Sequence, residues 1–172
     1  MTSSPSAPDD LFGHEGDQPR AEVSISSIER AIQPGQYVKL RCEIRNVGST
    51  PFYIRPVIPE FTPEGGFKAF ITSPQHPPAT YSAGAESEGS SSARSIVEEV
   101  NRHWLLLLPG DFYGGTLITG IQLLEPGEYT IKGRRDPPQF SDQTKKRLRS
   151  ALRFPILEEV IESNSVVLTV KN

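Results

Sequence analysis

Between Tyr37 and Arg45 apolar and polar residues alternate without a break. Val38, Leu40, Cys42 and Ile44 fall on one side, and Lys39, Arg41, Glu43 and Arg45 on the other. A period of two is that of an extended chain, so this segment predicts an antiparallel strand with one buried face and one wet face. Shorter runs over Glu22–Ser26, Glu128–Lys132 and Ser165–Val170 carry the same pattern. Pro51–Arg55, Phe67–Thr72, His103–Leu108 and Thr116–Leu123 bring the set to seven or eight short strands. Pro34-Gly35, Asn46-Val47-Gly48, Gly65-Gly66, Pro109-Gly110, Gly114-Gly115 and Pro126-Gly127 read as turns between or beside them. The expected core is Val38, Leu40, Cys42, Ile44, Ile54, Trp104, Leu106, Leu108, Tyr129, Ile131, Val166, Leu168 and Val170.

Two stretches depart from the alternation. Residues 74–94 are first Pro-rich and then Ser/Gly/Glu-rich, a composition that predicts a long mobile loop. Ser95–Arg102 either carries a helical turn or leads directly into the apolar run Trp104–Leu108. Residues 141–154 predict a short helix: Ser141 suits the N-cap, Asp142 the first turn, and Leu148, Ala151 and Leu152 share a face until Pro155 stops it. Residues 1–20 are polar and broken by Pro5, Pro8 and Pro19, so they read as a disordered tail ahead of one domain spanning 21–172.

Sixteen prolines and fourteen glycines in 172 residues fit a turn-rich β architecture and exclude a helical bundle. A net charge of −3 offers no global attraction to nucleic acid or anionic lipid, and no apolar run approaches membrane-spanning length. The only cysteine, Cys42, excludes an intramolecular disulfide. No basic and apolar leader opens the chain, so a cytoplasmic location is slightly favoured, or export if a signal has been removed.

Glu125-Pro126-Gly127-Glu128-Tyr129 places a tyrosine at the start of a strand behind an acidic residue and a glycine. This resembles the tyrosine corner of immunoglobulin-like domains, where the phenol bonds back to upstream backbone. The resemblance implies an all-β, immunoglobulin-like antiparallel sandwich with one short helix inserted before the last strand. It also implies that Cys42 faces Ile131 where antibody domains carry a disulfide. The tryptophan of antibody domains is absent from the third strand, which leaves the broader class. Pro34–Gly48 and Glu162–Val170 are similar to strands of fibronectin-III-like and bacterial cell-adhesion-related modules.

Chemistry is sparse. His14, His76 and His103 are scattered, without ligand spacing, and predict no metal site. No nucleophile elbow or phosphate loop is present, and Glu98-Glu99 and Glu158-Glu159 point apart. No catalytic residue and no cofactor is expected. Lys132–Arg153 carries a net +6, leaving −9 for the rest of the chain. Such a helix either docks an acidic partner or is a solvated face complementing the body's own acids. Pro-stiffened connections surround Phe61, Phe67 and Tyr81, and Phe112 and Tyr113 sit between Asp111 and Gly114-Gly115 at a strand end; these aromatics either cap the core or form a recognition surface. The expected function is therefore a non-catalytic module, uncharacterised, that binds a protein partner through its loops. Phe61, Tyr81, Phe112, Tyr113, Lys145 and Arg149 are its candidate contacts, and neither nucleic acid nor membrane insertion is expected. The alternatives are an immunoglobulin-like protease inhibitor, and a carbohydrate-binding or enzyme-associated accessory domain.

Overall fold

A computed structural model describes residues 18–55, 67–74, 76–82 and 93–171. Its strands are β1 (Ala21–Ser27), β2 (Ala31–Ile32), β3 (Tyr37–Asn46), β4 (Phe52–Ile54), β5 (Phe67–Ser73), β6 (His76–Ser82), β7 (Leu105–Leu107), β8 (Phe112–Gln122), β9 (Gly127–Arg135) and β10 (Ile161–Val170). Helix α1 (Ala93–His103) precedes β7, and α2 (Asp142–Ala151) precedes β10. The main sheet runs β6-β5-β9-β10-β1-β3-β8, with β2 also paired to β10, while β4 and β7 form a separate ribbon.

The sheet curls. Val38, Leu40 and Cys42 of β3 share one buried cluster with Ala69 and Ile71 of β5, Tyr129 and Ile131 of β9, and Leu168 and Val170 of β10. Strands four places apart in the order thus bury their inner faces against each other, which a flat sheet could not do. Cys42 and Ile131 do lie in the same cluster. Loss of hydration pushes the Cys42 thiol up to about 12, so it stays protonated and acts as a small apolar side chain.

The β-rich architecture stands, but the sheet is mixed rather than purely antiparallel. β1 meets β10 in parallel, as does β2. First and last strands are not joined by a short hairpin, so nothing in the connection forces them antiparallel. A register shift between Glu162 and Ser165 accompanies the junction. There the Asn164 amide takes over the ladder, accepting from Ile25 N (2.8 Å) and donating to Ile25 O (2.9 Å).

A second cluster joins Val23 and Ile44 to Phe52, Ile54, Leu107 and Leu157, so the β4–β7 ribbon covers one end of the curl. A third joins Ile96 and Val100 of α1 to Trp104, Leu148 and Ile156. Helix α2 matches the expected position: Ser141 caps it by accepting from Thr144 N, and Leu148 is its buried residue. Arg55 ties the ribbon to α1 through Glu99 at 3.4 Å.

Several expectations are corrected. Strand β6 occupies part of the 74–94 stretch read as a mobile loop, held by pairing to β5. The described residues form two helices, and Trp104 packs at the foot of α1 rather than within a strand. In the run that follows, Leu107 is buried, Leu106 is half-buried and Leu108 is exposed, the reverse of the expected order. An uninterrupted apolar run has no polar partner to fix its parity, and a one-residue offset turns every side chain to the other face. Val166 is half-buried at the margin of the first cluster. Gly114-Gly115 is no turn: both residues pair with β3 inside β8. A Cβ on Gly114 would lie 2.4 Å from the Cys42 carbonyl oxygen, so the glycine permits the close approach of the two backbones.

The tyrosine corner is present. The buried Tyr129 hydroxyl donates to the Glu125 carbonyl at 2.8 Å. Tyr129→Phe is expected to cost about 1 kcal/mol, the usual worth of such a bond, read as a lowered urea midpoint at unchanged slope. An unchanged midpoint refutes a stabilising role for the corner.

Candidate functional site

Asn46 ends β3 and is only 1% exposed. It does not adopt the positive φ expected of a turn asparagine; among the described residues only glycines do. Instead its amide organises two loops. Nδ2 donates to Thr50 O and Leu107 O, both at 3.0 Å, and Oδ1 accepts from Gly48 N at 3.0 Å. Its backbone N–H donates to Asp111 O at 2.9 Å, and its carbonyl accepts from Gly110 N at 3.0 Å. The 47–51 and 108–111 connections are thereby fastened to each other. Asp111 tightens the second loop, its carboxylate accepting from Leu108 N at 3.0 Å, while Gly110 supplies the left-handed residue (φ 85°).

This scaffold presents apolar side chains to water. Val47 is 39% exposed, Leu108 47% and Phe112 55%. Phe112 stands opposite Arg45 in the β3–β8 register, and the Arg45 guanidinium lies 5.1 Å from its ring centroid. Arg45 also pairs with Glu43 at 3.0 Å, so its fork is oriented on the surface. Stiff loops, an exposed aromatic and an arginine stacked on it are the elements of an interface anchor.

The other expected contacts separate. Tyr113 is half-buried and packs against the second cluster. Tyr81 stands in β6 opposite Ala69, and Phe61 lies outside the described residues. On α2, Lys145 is half-buried, while the exposed Arg149 pairs with Glu158 at 2.9 Å. Lys132 is bonded to Glu162, and Arg134 to Asp136 at 2.6 Å. Three cations of the basic segment are thus matched by the body's own acids. Among the described residues no three His, Cys, Asp or Glu side chains come together as metal ligands, and no helix is long and apolar enough to cross a membrane.

Sequence reasoning missed Arg135. Tyr129, Ile131 and Gly133 point inward on β9, and the same alternation carries Arg135 inward, leaving it 5% exposed. Its register neighbours are Phe67 on β5 and Ile161 on β10. Neither terminal guanidinium nitrogen has a hydrogen-bond partner among the described residues. Burial pushes this guanidinium down to about 10, the nearby Asp136 charge offsetting part of the shift. The Asp136 carboxylate is already bonded to Lys68 (2.7 Å) and Arg134 (2.6 Å). Burial alone would raise its pKa, but those two cations hold it below the usual carboxylate value.

No protein-family model and no curated protein matches this chain. Solved structures with a similar outline include a β-glucosidase from Erythrobacter marinus, at 13% identity and TM-score 0.40. That likeness covers 88% of this chain and 16% of the enzyme, so the chain spans about a sixth of that enzyme's length. A Bordetella pertussis protein described as ApaA is 16% identical with TM-score 0.43, over 88% of this chain and 94% of its own. The CARDB domain of a Pyrococcus furiosus protein, solved with di-metal ions, is 11% identical with TM-score 0.33, over 96% of this chain and 99% of that one. At these values no activity or ligand is transferred.

Proposed function

We propose that the chain is a non-catalytic binding module. It takes a partner protein through the connections at the Asn46 end of the fold. The observation that carries this reading is the exposure of Val47, Leu108 and Phe112 on two loops fastened by one buried amide. Loops already fixed lose little entropy on binding, so their apolar area converts efficiently into affinity. Arg45 over the Phe112 ring sets the partner's chemistry: an apolar side chain next to a carboxylate, which meets both ring and guanidinium. The curled sheet is read as an immunoglobulin-like sandwich, supported by the Tyr129 corner and by β3 facing β9 across the core.

A photo-crosslinking residue at Phe112, compared with one at Val167 on the exposed face of β10, tests the surface. A protein joined through position 112 but not 167 is the expected product. That protein should bind the Leu108→Ser/Phe112→Ser double variant at least ten-fold more weakly, as for truncated interface anchors. Equal capture by both positions, or undiminished binding by the double variant, overturns the proposal.

A further inference from the structure

At the end of β9 an arginine, Arg135, points into the fold. Its side chain emerges between Phe67 and Ile161, and both terminal nitrogens are out of water without a partner among the described residues. Lys68 stands opposite Arg134 in the β5–β9 register, one position from Arg135. Lys68 and Arg134 share the Asp136 carboxylate, and Glu162, opposite Arg134 on β10, is bonded to Lys132; by the strand's alternation these side chains leave the face opposite to that of Arg135. The neighbouring cations Lys68, Lys132 and Arg134 thus have Asp136 and Glu162 as partners, whereas Arg135, the deepest of them in the fold, has none among the described residues. Native proteins pair such groups, because a guanidinium stripped of water and given no acceptor is among the costliest arrangements a core can hold.

We propose that Arg135 is the anchor of an oxyanion site, with its two terminal nitrogens donating in parallel to two oxygens of a carboxylate or phosphate group. The chemistry of the fork selects that class. An anion entering a desolvated site must regain the hydrogen bonds it gives up to water, and two parallel N–H···O bonds do this for a carboxylate or phosphate. Chloride has no paired oxygens and gains only the charge. Filling the site would also raise the Arg135 pKa back from its lowered value. The site lies on β9 between β5 and β10, whereas the proposed protein-binding surface lies on β3, β7 and β8. Either can fail without the other.

Thermal denaturation in sodium chloride, with inorganic phosphate or acetate replacing chloride at constant ionic strength, tests the proposal. A saturable rise in melting temperature is expected with at least one oxyanion. Phosphate acting alone points to a phosphate ligand, and acetate acting at similar concentration to a carboxylate. Arg135→Met should abolish the saturable part and keep only the shallow, non-saturating rise that phosphate gives most proteins. Arg135→Lys, which keeps charge but loses the fork, should need at least ten-fold more oxyanion for the same rise. The Arg135 side-chain N–H signals of the wild type, followed by NMR, should slow in exchange as oxyanion is added. No saturable rise with either ion overturns the proposal, as does an equal rise in Arg135→Met. Slowly exchanging side-chain signals in chloride alone overturn it too, because a carboxylate of the chain itself then fills the fork.

Discussion

Asn46→Ala is expected to lower stability by about 3 kcal/mol, since it removes three side-chain bonds worth about 1 kcal/mol each. At about 2–4 °C per kcal/mol for a chain of this size, the melting temperature should fall by roughly 6–12 °C. Asn46→Asp separates hydrogen bonding from packing. It keeps the acceptor for Gly48 N but turns an unshared carboxylate toward the Thr50 and Leu107 carbonyl oxygens, so it should be at least as damaging near neutral pH. Acidification should then recover part of the loss, because a protonated carboxyl can donate to one of those carbonyls. An alanine variant melting within about 1 °C of the wild type would mean that the two loops are held some other way. The same substitutions should weaken capture through position 112, because Phe112 would then be presented by unfastened loops.

How much of this could be read in advance depended on whether a segment's polar residues recorded its parity. In β3 and β9 charged and apolar side chains alternate, and Val38, Leu40, Cys42, Tyr129 and Ile131 are buried where the pattern put them. Tyr129 and Ser141 were legible for another reason: a corner and a helix cap are made by one side chain with nearby backbone, so sequence distance is enough. The Trp104–Leu108 run had no such record, and its burial was settled by the β4–β7 pairing of Tyr53 with Leu106 and of Phe52 with Leu107. The parallel β1–β10 contact depends on residues 139 positions apart that meet through the Asn164 amide, and no local pattern announces it.

The candidate site followed the same division. Phe112 was legible as an aromatic at a strand end. Arg45 and Val47 were not, because their part depends on a register with β8 and on bonds from Asn46 that cross 61 residues. Asn46-Val47-Gly48 reads as a turn, and Asn46 Oδ1 does accept from Gly48 N; the same amide's reach to Thr50 O and across 61 residues to Leu107 O has no local signal. Arg135 could have been found: extending the inward phase of Tyr129, Ile131 and Gly133 by one step lands on it. Its charge disguised it as part of the basic segment that leads to α2.

Replacing Arg135 by methionine is expected to stabilise the protein in chloride buffer, the opposite of what most core substitutions do. Methionine keeps an unbranched apolar stem beside Phe67 and Ile161, so the packing loss is small. The substitution removes a guanidinium that is 5% exposed and has no bonded acceptor among the described residues. Exchanging buried charged groups for apolar ones of similar size gains about 1–4 kcal/mol in other folds, and here no partner is orphaned, because Asp136 keeps both Lys68 and Arg134. At about 2–4 °C per kcal/mol, the variant should melt several degrees above the wild type. Oxyanion should reverse the order. A ligand at about a hundred times its dissociation constant adds about 2.7 kcal/mol to the wild type and nothing to the variant, so the two melting curves should converge or cross. A variant that melts lower than the wild type in chloride alone would mean that the arginine is already satisfied from within the chain, and the charge would then be structural.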